Sequence, residues 1–189
     1  MTQTLAPQAR KPRADALRNR EKILEVARVA FEKEGVNISM DAVAKQAGVG
    51  AGTLYRNFPN RPALVAAVLE SQGMGAPEPA ADSLARGEDS LEVLKIWLRA
   101  TARWFGTYEG LTEPMRTAVD EASSPLGMAC QDVISQLDTL LAAAQADGYV
   151  REDVTGKDLY LATLGIAWAA RHSDEPERLF DLLASGWLR

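Results

Sequence analysis

Residues that carry chemistry are scarce in this 189-residue chain, which has one cysteine, Cys130, and one histidine, His172. A single cysteine excludes an intramolecular disulfide framework, and together the two residues cannot supply a Cys/His metal cluster. A Cys/His nucleophile pair would need His172 to approach Cys130 beside an orienting third group, and nothing in the spacing suggests it. Cys130 reads instead as a small core residue, and His172 as a cap near a helix C-terminus, where a donor or a positive charge is favourable. The longest uncharged run, Leu159–Ala170, has 12 residues, short of the roughly 20 that span a bilayer. No apolar signal region opens the chain, so a bacterial-type cytoplasmic location and no membrane contact are expected. Neither a P-loop nor a G-x-G-x-x-G string occurs, since G-V-G-A-G at 48–52 lies in a turn. No cofactor, metal or catalytic residue is therefore expected.

What the chain does contain is a compact helical signature from Ser39 to Arg61, S-M-D-A-V-A-K-Q-A-G-V-G-A-G-T-L-Y-R-N-F-P-N-R. Ser39 can cap a helix start, Val43 and Ala47 share one apolar face, and Gly48 suits the left-handed residue that ends the helix. Val49 plugs the corner. Gly50 can then cap a second helix with Leu54 and Phe58 inward, leaving Ala51, Gly52, Thr53, Tyr55, Arg56 and Asn57 outward. Two short helices around a glycine turn form a helix-turn-helix, and small residues followed by hydrogen-bonding ones suit a helix whose N-terminal end enters a major groove.

These residues resemble the N-terminal signature of TetR/AcrR-type bacterial repressors. An A-x-x-A-G-V-x-x-G-T-L-Y-x-x-F-x-x-K-like string corresponds to Ala44 through Arg61 here, glycines, T-L-Y and following aromatic included. Asn57 stands where histidine or tyrosine is common, Arg61 where lysine is usual and Pro62 where an acidic residue is frequent. The resemblance implies that Gly50, Ala51, Gly52 and Thr53 approach base edges. Ser39, Tyr55, Asn57 and Arg61 would contact phosphates, and Arg56 would do either. It also implies double-stranded operator DNA as partner, a homodimer, and an unidentified small-molecule effector of apolar or amphipathic character.

Charge supports a division of labour. The net charge is −5, yet residues 1–61 hold 11 Lys/Arg against 6 Asp/Glu, and the remainder 10 against 20. A basic unit on an acidic body fits a DNA reader whose other half does not touch phosphate. Residues 1–14, with Arg10, Lys11 and Arg13, read either as a flexible basic arm or as a solvated tail. Residues 15–61 read as the helix-turn-helix domain, with a support helix from Asp15 to Lys33 ended by Gly35. Residues 62–189 read as a helical regulatory and dimerisation domain, with a loop over about 71–89.

An all-α fold is expected throughout, with regulatory helices near 90–108, 112–121, 125–147, 156–172 and 176–188. A first-turn proline, Pro62, starts the helix leaving the DNA unit. Thr155 and Asp158 resemble a capping box, and Gly148 supplies a stop. On the last two helices, Leu159, Thr163, Ile166, Leu179, Leu183 and Trp187 form an apolar pattern that serves either a dimer interface or the monomer's core. The family resemblance favours the interface. Trp97, Trp104 and Tyr108 are candidates for an apolar ligand cavity as well as for ordinary core. Arg99 and Arg103 on the same helix are either solvated or available to a carboxylate or phosphate. The leading reading is a ligand-responsive repressor; the alternatives are a constitutive DNA-binding protein and, with no chemical constellation to support it, an all-helical enzyme or interaction domain.

Overall fold

A computed structural model describes residues 12–72 and 80–189. The expected arm therefore lies largely outside the described residues, as does most of the Gly/Pro-rich stretch near 75. Ten helices follow in order among the described residues: α1 (Pro12–Glu34), α2 (Met40–Gln46), α3 (Ala51–Asn57), α4 (Arg61–Ser71), α5 (Ala80–Ala85), α6 (Ser90–Phe105), α7 (Thr112–Ala118), α8 (Pro125–Ala146), α9 (Gly156–Ala170) and α10 (Pro176–Ala184). The only β-type pairing described is one isolated bridge between Val150 and Leu188. The expected loop over 71–89 is partly helical, because α5 occupies its second half. Its six residues are too short to leave a readable periodicity.

Local signals set most helix ends. Ser39 Oγ accepts from Ala42 N at 3.1 Å, and Gly48 adopts φ +62° just past α2. Asn60 caps α4 by accepting from Ala63 N at 2.9 Å, which places Pro62 in the first turn, where its missing N–H costs nothing. Thr155 and Asp158 form the reciprocal capping box at α9.

The N-terminal unit is built around Ile23, Ala27, Phe31, Val43, Leu54 and Phe58, all at most 2% exposed. Complete burial of each large side chain is worth roughly 1.5–3 kcal/mol, enough to hold helices as short as α2 and α3 that would not persist alone. α4 leaves this unit with Leu64 through Leu69 all buried, covered by α1 on one side and α8 on the other. In the second half α6 packs on α8 and α9, α7 wedges between α8 and α9, and α10 lies on α9. Phe105 meets Tyr160 edge to face at 5.5 Å within this core. The Tyr160 hydroxyl approaches Cys130 Sγ at 3.1 Å, and Cys130 approaches the Met115 carbonyl at 3.6 Å. Burial pushes both the thiol and the phenol above their ordinary pKa, so both stay protonated.

Candidate nucleic-acid interface and its coupling to the second half

α3 buries Leu54 alone of its seven residues and turns the rest outward. Gly50, Ala51, Gly52, Tyr55 and Arg56 are exposed, and Thr53 and Asn57 are half-buried. Exposed Ser39 caps α2 a short way along the same chain segment. Arg56 is folded back along its helix, donating from Nε to the Gly52 carbonyl at 3.0 Å and from Nη2 to Thr53 Oγ1 at 3.2 Å. Asn57 Nδ2 donates to the Thr53 carbonyl at 2.8 Å. These are local, solvent-side bonds that a stronger phosphate or base acceptor can replace.

Gly52 is informative because nothing within the chain calls for glycine there. Its backbone is ordinary helix, and a Cβ added at that position would meet nothing within 4 Å. Glycine in a helix costs about 0.5–1 kcal/mol relative to alanine, and packing within the chain does not account for it here.

Arg61 also makes a contact within the chain. Its Nη1 donates to the Val36 carbonyl at 2.9 Å in a partly buried setting, bracing the start of α4 against the turn after α1. Val36 N in turn donates to the Glu109 carbonyl at 2.9 Å, across to the loop between α6 and α7. Gly35 has φ +77°, and a Cβ on it would sit 2.7 Å from the same carbonyl. The sequence marks Gly35 as a helix stop; that it is also a docking point follows only from long-range packing, for which no local signal exists.

Tyr108 reinforces this junction and is not a pocket wall between the tryptophans. It is 3% exposed, packs edge to face on Phe31 of α1 at 6.1 Å, and donates to Gln72 Oε1 just past α4 at 3.0 Å. Burial raises its pKa, which keeps the hydroxyl a donor. Trp97 is 1% exposed and belongs to the core, while Trp104 is half-buried against Phe105. The described pockets are not lined by these three together; Tyr108 alone borders one of them, beside Asn37, Glu109 and His172. Trp97 and Trp104 stand on α6, whereas Tyr108 lies beyond its end, because the helix expected over 90–108 stops at Phe105. On the same stripe, the buried Thr101 hydroxyl has no hydrogen-bond partner among the described residues.

The expected association stripe is also corrected in phase. Leu159, Thr163, Ile166 and Trp187 are 2%, 2%, 9% and 6% exposed and face the monomer's own core. Thr163 is satisfied there by donating to the Leu159 carbonyl at 2.6 Å. Leu179 is half-buried, and Leu183 is exposed. The outward apolar residues are Leu161, Trp168, Leu182 and Leu183, at 38%, 60%, 61% and 40%, with exposed Gly165 between the first two. α9 is apolar nearly all round, so periodicity could not tell its inner face from its outer one.

A pair of short helices with a small, polar, glycine-bearing outer face, carried on a buried stem helix, defines a helix-turn-helix DNA-binding regulator. Residues 23–68 match the family described as bacterial regulatory proteins, tetR family, and residues 89–189 match the C-terminal domain described as transcriptional regulator SbtR-like. The chain belongs to the TetR family of transcriptional regulators. It is 34% identical to the TetR transcriptional regulator SCO0520 from Streptomyces coelicolor, covering 89% of this chain and 98% of that one with a TM-score of 0.56. A fold likeness reaches the Thermus thermophilus TetR-family repressor FadR in complex with lauroyl-CoA, with TM-score 0.60, 23% identity, and coverage of 87% and 91%. The HTH-type transcriptional regulator SAB2452 of Staphylococcus aureus is 48% identical over 59 residues, only 31% of this chain and 32% of that relative. The chain is thus a DNA-binding regulator of transcription and not an enzyme. No described helix is long and apolar enough to cross a membrane.

Proposed function

We propose that this regulator is a homodimeric repressor that holds a near-palindromic operator and releases it when a small apolar or amphipathic effector binds the second half. In this reading Gly50, Ala51, Gly52 and Thr53 meet base edges in the major groove, while Ser39, Tyr55 and Asn57 hold phosphates and Arg56 unfolds from its helix to either. Arg61 acts as a brace between α4 and the DNA unit. The two copies meet through Leu161, Gly165, Trp168, Leu182 and Leu183, which sets the recognition helices one DNA turn apart, about 34–36 Å.

The observation that carries the effector reading is the loop between α6 and α7. Through Tyr108 and Glu109 it is bonded to the ends of both α1 and α4, so a displacement of that loop turns the DNA unit. Affinity selection of genomic fragments with the full chain, followed by anisotropy titration of the enriched site, tests the reading. Enrichment of a two-fold site bound by a dimer, with affinity reduced about 5- to 150-fold by a metabolite fraction, is the expected result. Tight binding by a monomer, or an operator affinity that no metabolite fraction alters, would refute it.

A further inference from the structure

Three guanidinium groups converge on a pocket of about 200 Å³ between α6, α9 and the start of α10. Its walls are apolar, formed by Ala102, Ile166, Ala167 and Phe180, and Arg99, Arg103 and Arg171 stand around them with Glu177 as the one lining carboxylate. The three arginines are not equivalent. Arg99 is fully engaged, donating to Glu177 at 2.9 Å and Asp181 at 3.0 Å while stacking on the Phe180 ring at 4.3 Å. Arg171 donates to the Gly106 carbonyl at 2.7 Å and lies 3.9 Å from Glu109 Oε2. Arg103 is 68% exposed, and its ion pair with Glu177, at 3.8 Å, is too long for a hydrogen bond.

An apolar recess flanked by two guanidinium groups whose carboxylate partners lie no closer than 3.8 Å, one of them hydrogen-bonded to a backbone carbonyl, is complementary to a carboxylate bearing an apolar body. The size is restrictive. A cavity of about 150 Å³ takes up benzene, so this one suits a ligand of about ten non-hydrogen atoms.

We infer that this pocket binds a small amphipathic monocarboxylate, with its carboxylate between Arg103 and Arg171 and its hydrocarbon end against Ile166 and Phe180. Binding has a direct consequence for the DNA unit, and that consequence rests on the effector reading above. A carboxylate competes with the Gly106 carbonyl for Arg171, and Gly106 opens the loop whose Tyr108 and Glu109 hold α1 and α4. The ligand thereby favours the state in which this loop is loosened, which is the differential affinity any effector must have.

Octanoate, with 1-octanol as its uncharged counterpart, is a suitable probe for calorimetric titration of the full-length chain. One saturable octanoate site per chain is expected, with 1-octanol binding at least about tenfold more weakly. Arg103→Ala and Arg103→Gln should each weaken octanoate about tenfold or more while leaving the circular dichroism spectrum unchanged, because the side chain is mostly exposed. Absence of saturable octanoate binding, equal binding of 1-octanol, or binding that both Arg103 variants leave intact would each overturn the site. Octanoate that binds in an Arg103-dependent way without altering operator affinity keeps the site and removes its role as the effector site. A chain released from its operator by some other compound, yet indifferent to octanoate, loses the site and keeps the effector reading.

Discussion

α3 and α9 both present an outer face that the monomer does not cover, and the two faces are marked in opposite ways. On α3 the outer residues are small or hydrogen-bonding, and their polar atoms turn back on their own helix. On α9 and α10 they are large and apolar, with Trp168 at 60% and Leu182 at 61% exposure. Water solvates the first face at little cost, and a rigid polar partner can replace that water. The second face pays for its exposure until another apolar surface covers it. Composition alone thereby separates a face that water can solvate from one that gains by being covered.

The sharpest way to break this comparison is to put a charge on the apolar face. Trp168→Glu should dissociate the dimer in light scattering and weaken operator binding by at least about 100-fold, although α3 lies elsewhere in the chain. Its far-UV spectrum should stay native, since the side chain is already exposed. A Trp168→Glu protein that remains dimeric would mean that copies do not meet on this face.

Gly35→Ala acts on the link between the two regions. Its positive φ and the 2.7 Å approach to the Glu109 carbonyl require backbone movement, so thermal denaturation should show a loss of roughly 2 kcal/mol or more. Unchanged stability would show that the junction yields without cost.

Gly52→Ala tests the polar face from the other direction. Stability should rise by about 0.5–1 kcal/mol, because a poor helix former is replaced where there is open space. Operator affinity should fall about tenfold, since the new methyl stands where the groove approaches. A variant that gains stability and keeps its affinity would show that α3 does not come that close.

Much of the DNA unit is legible in the sequence because its inner and outer faces differ so strongly. Val43, Ala47, Leu54 and Phe58 are apolar and inward, everything opposite them is small or polar, and Ser39 and Gly48 mark the ends. The regulatory half yields its helices, as the Thr155–Asp158 box illustrates, but not the direction in which they face. Leu159 and Leu161 are only two residues apart, equally apolar, and on opposite sides of α9. Nothing in such a segment fixes its phase until α6, α8 and α10 are packed around it. Arg61 shows the same limit at one residue: its type suits phosphate, and only the fold brings the Val36 carbonyl within its reach. The same holds for Tyr108, whose partners Phe31 and Gln72 come from α1 and from the residue just past α4.

The smallest expected effect separates a packing defect from a functional group within α6. Thr101→Val removes a buried hydroxyl that finds no partner among the described residues, so stability should increase by about 1 kcal/mol in denaturant titration with operator binding unchanged. A loss of stability would mean that an ordered water satisfies the hydroxyl.

The position of Cys130 makes the chain its own chronometer. The thiol is completely enclosed where α7, α8 and α9 meet, bonded by Tyr160 and held protonated by burial. A thiol-reactive dye therefore reacts no faster than that three-helix contact separates, and with one cysteine in the whole sequence every labelled molecule reports the same event. With dye concentrated enough to react before the contact recloses, the labelling half-life gives the opening rate of the regulatory core, without a spectroscopic probe having to be engineered into it.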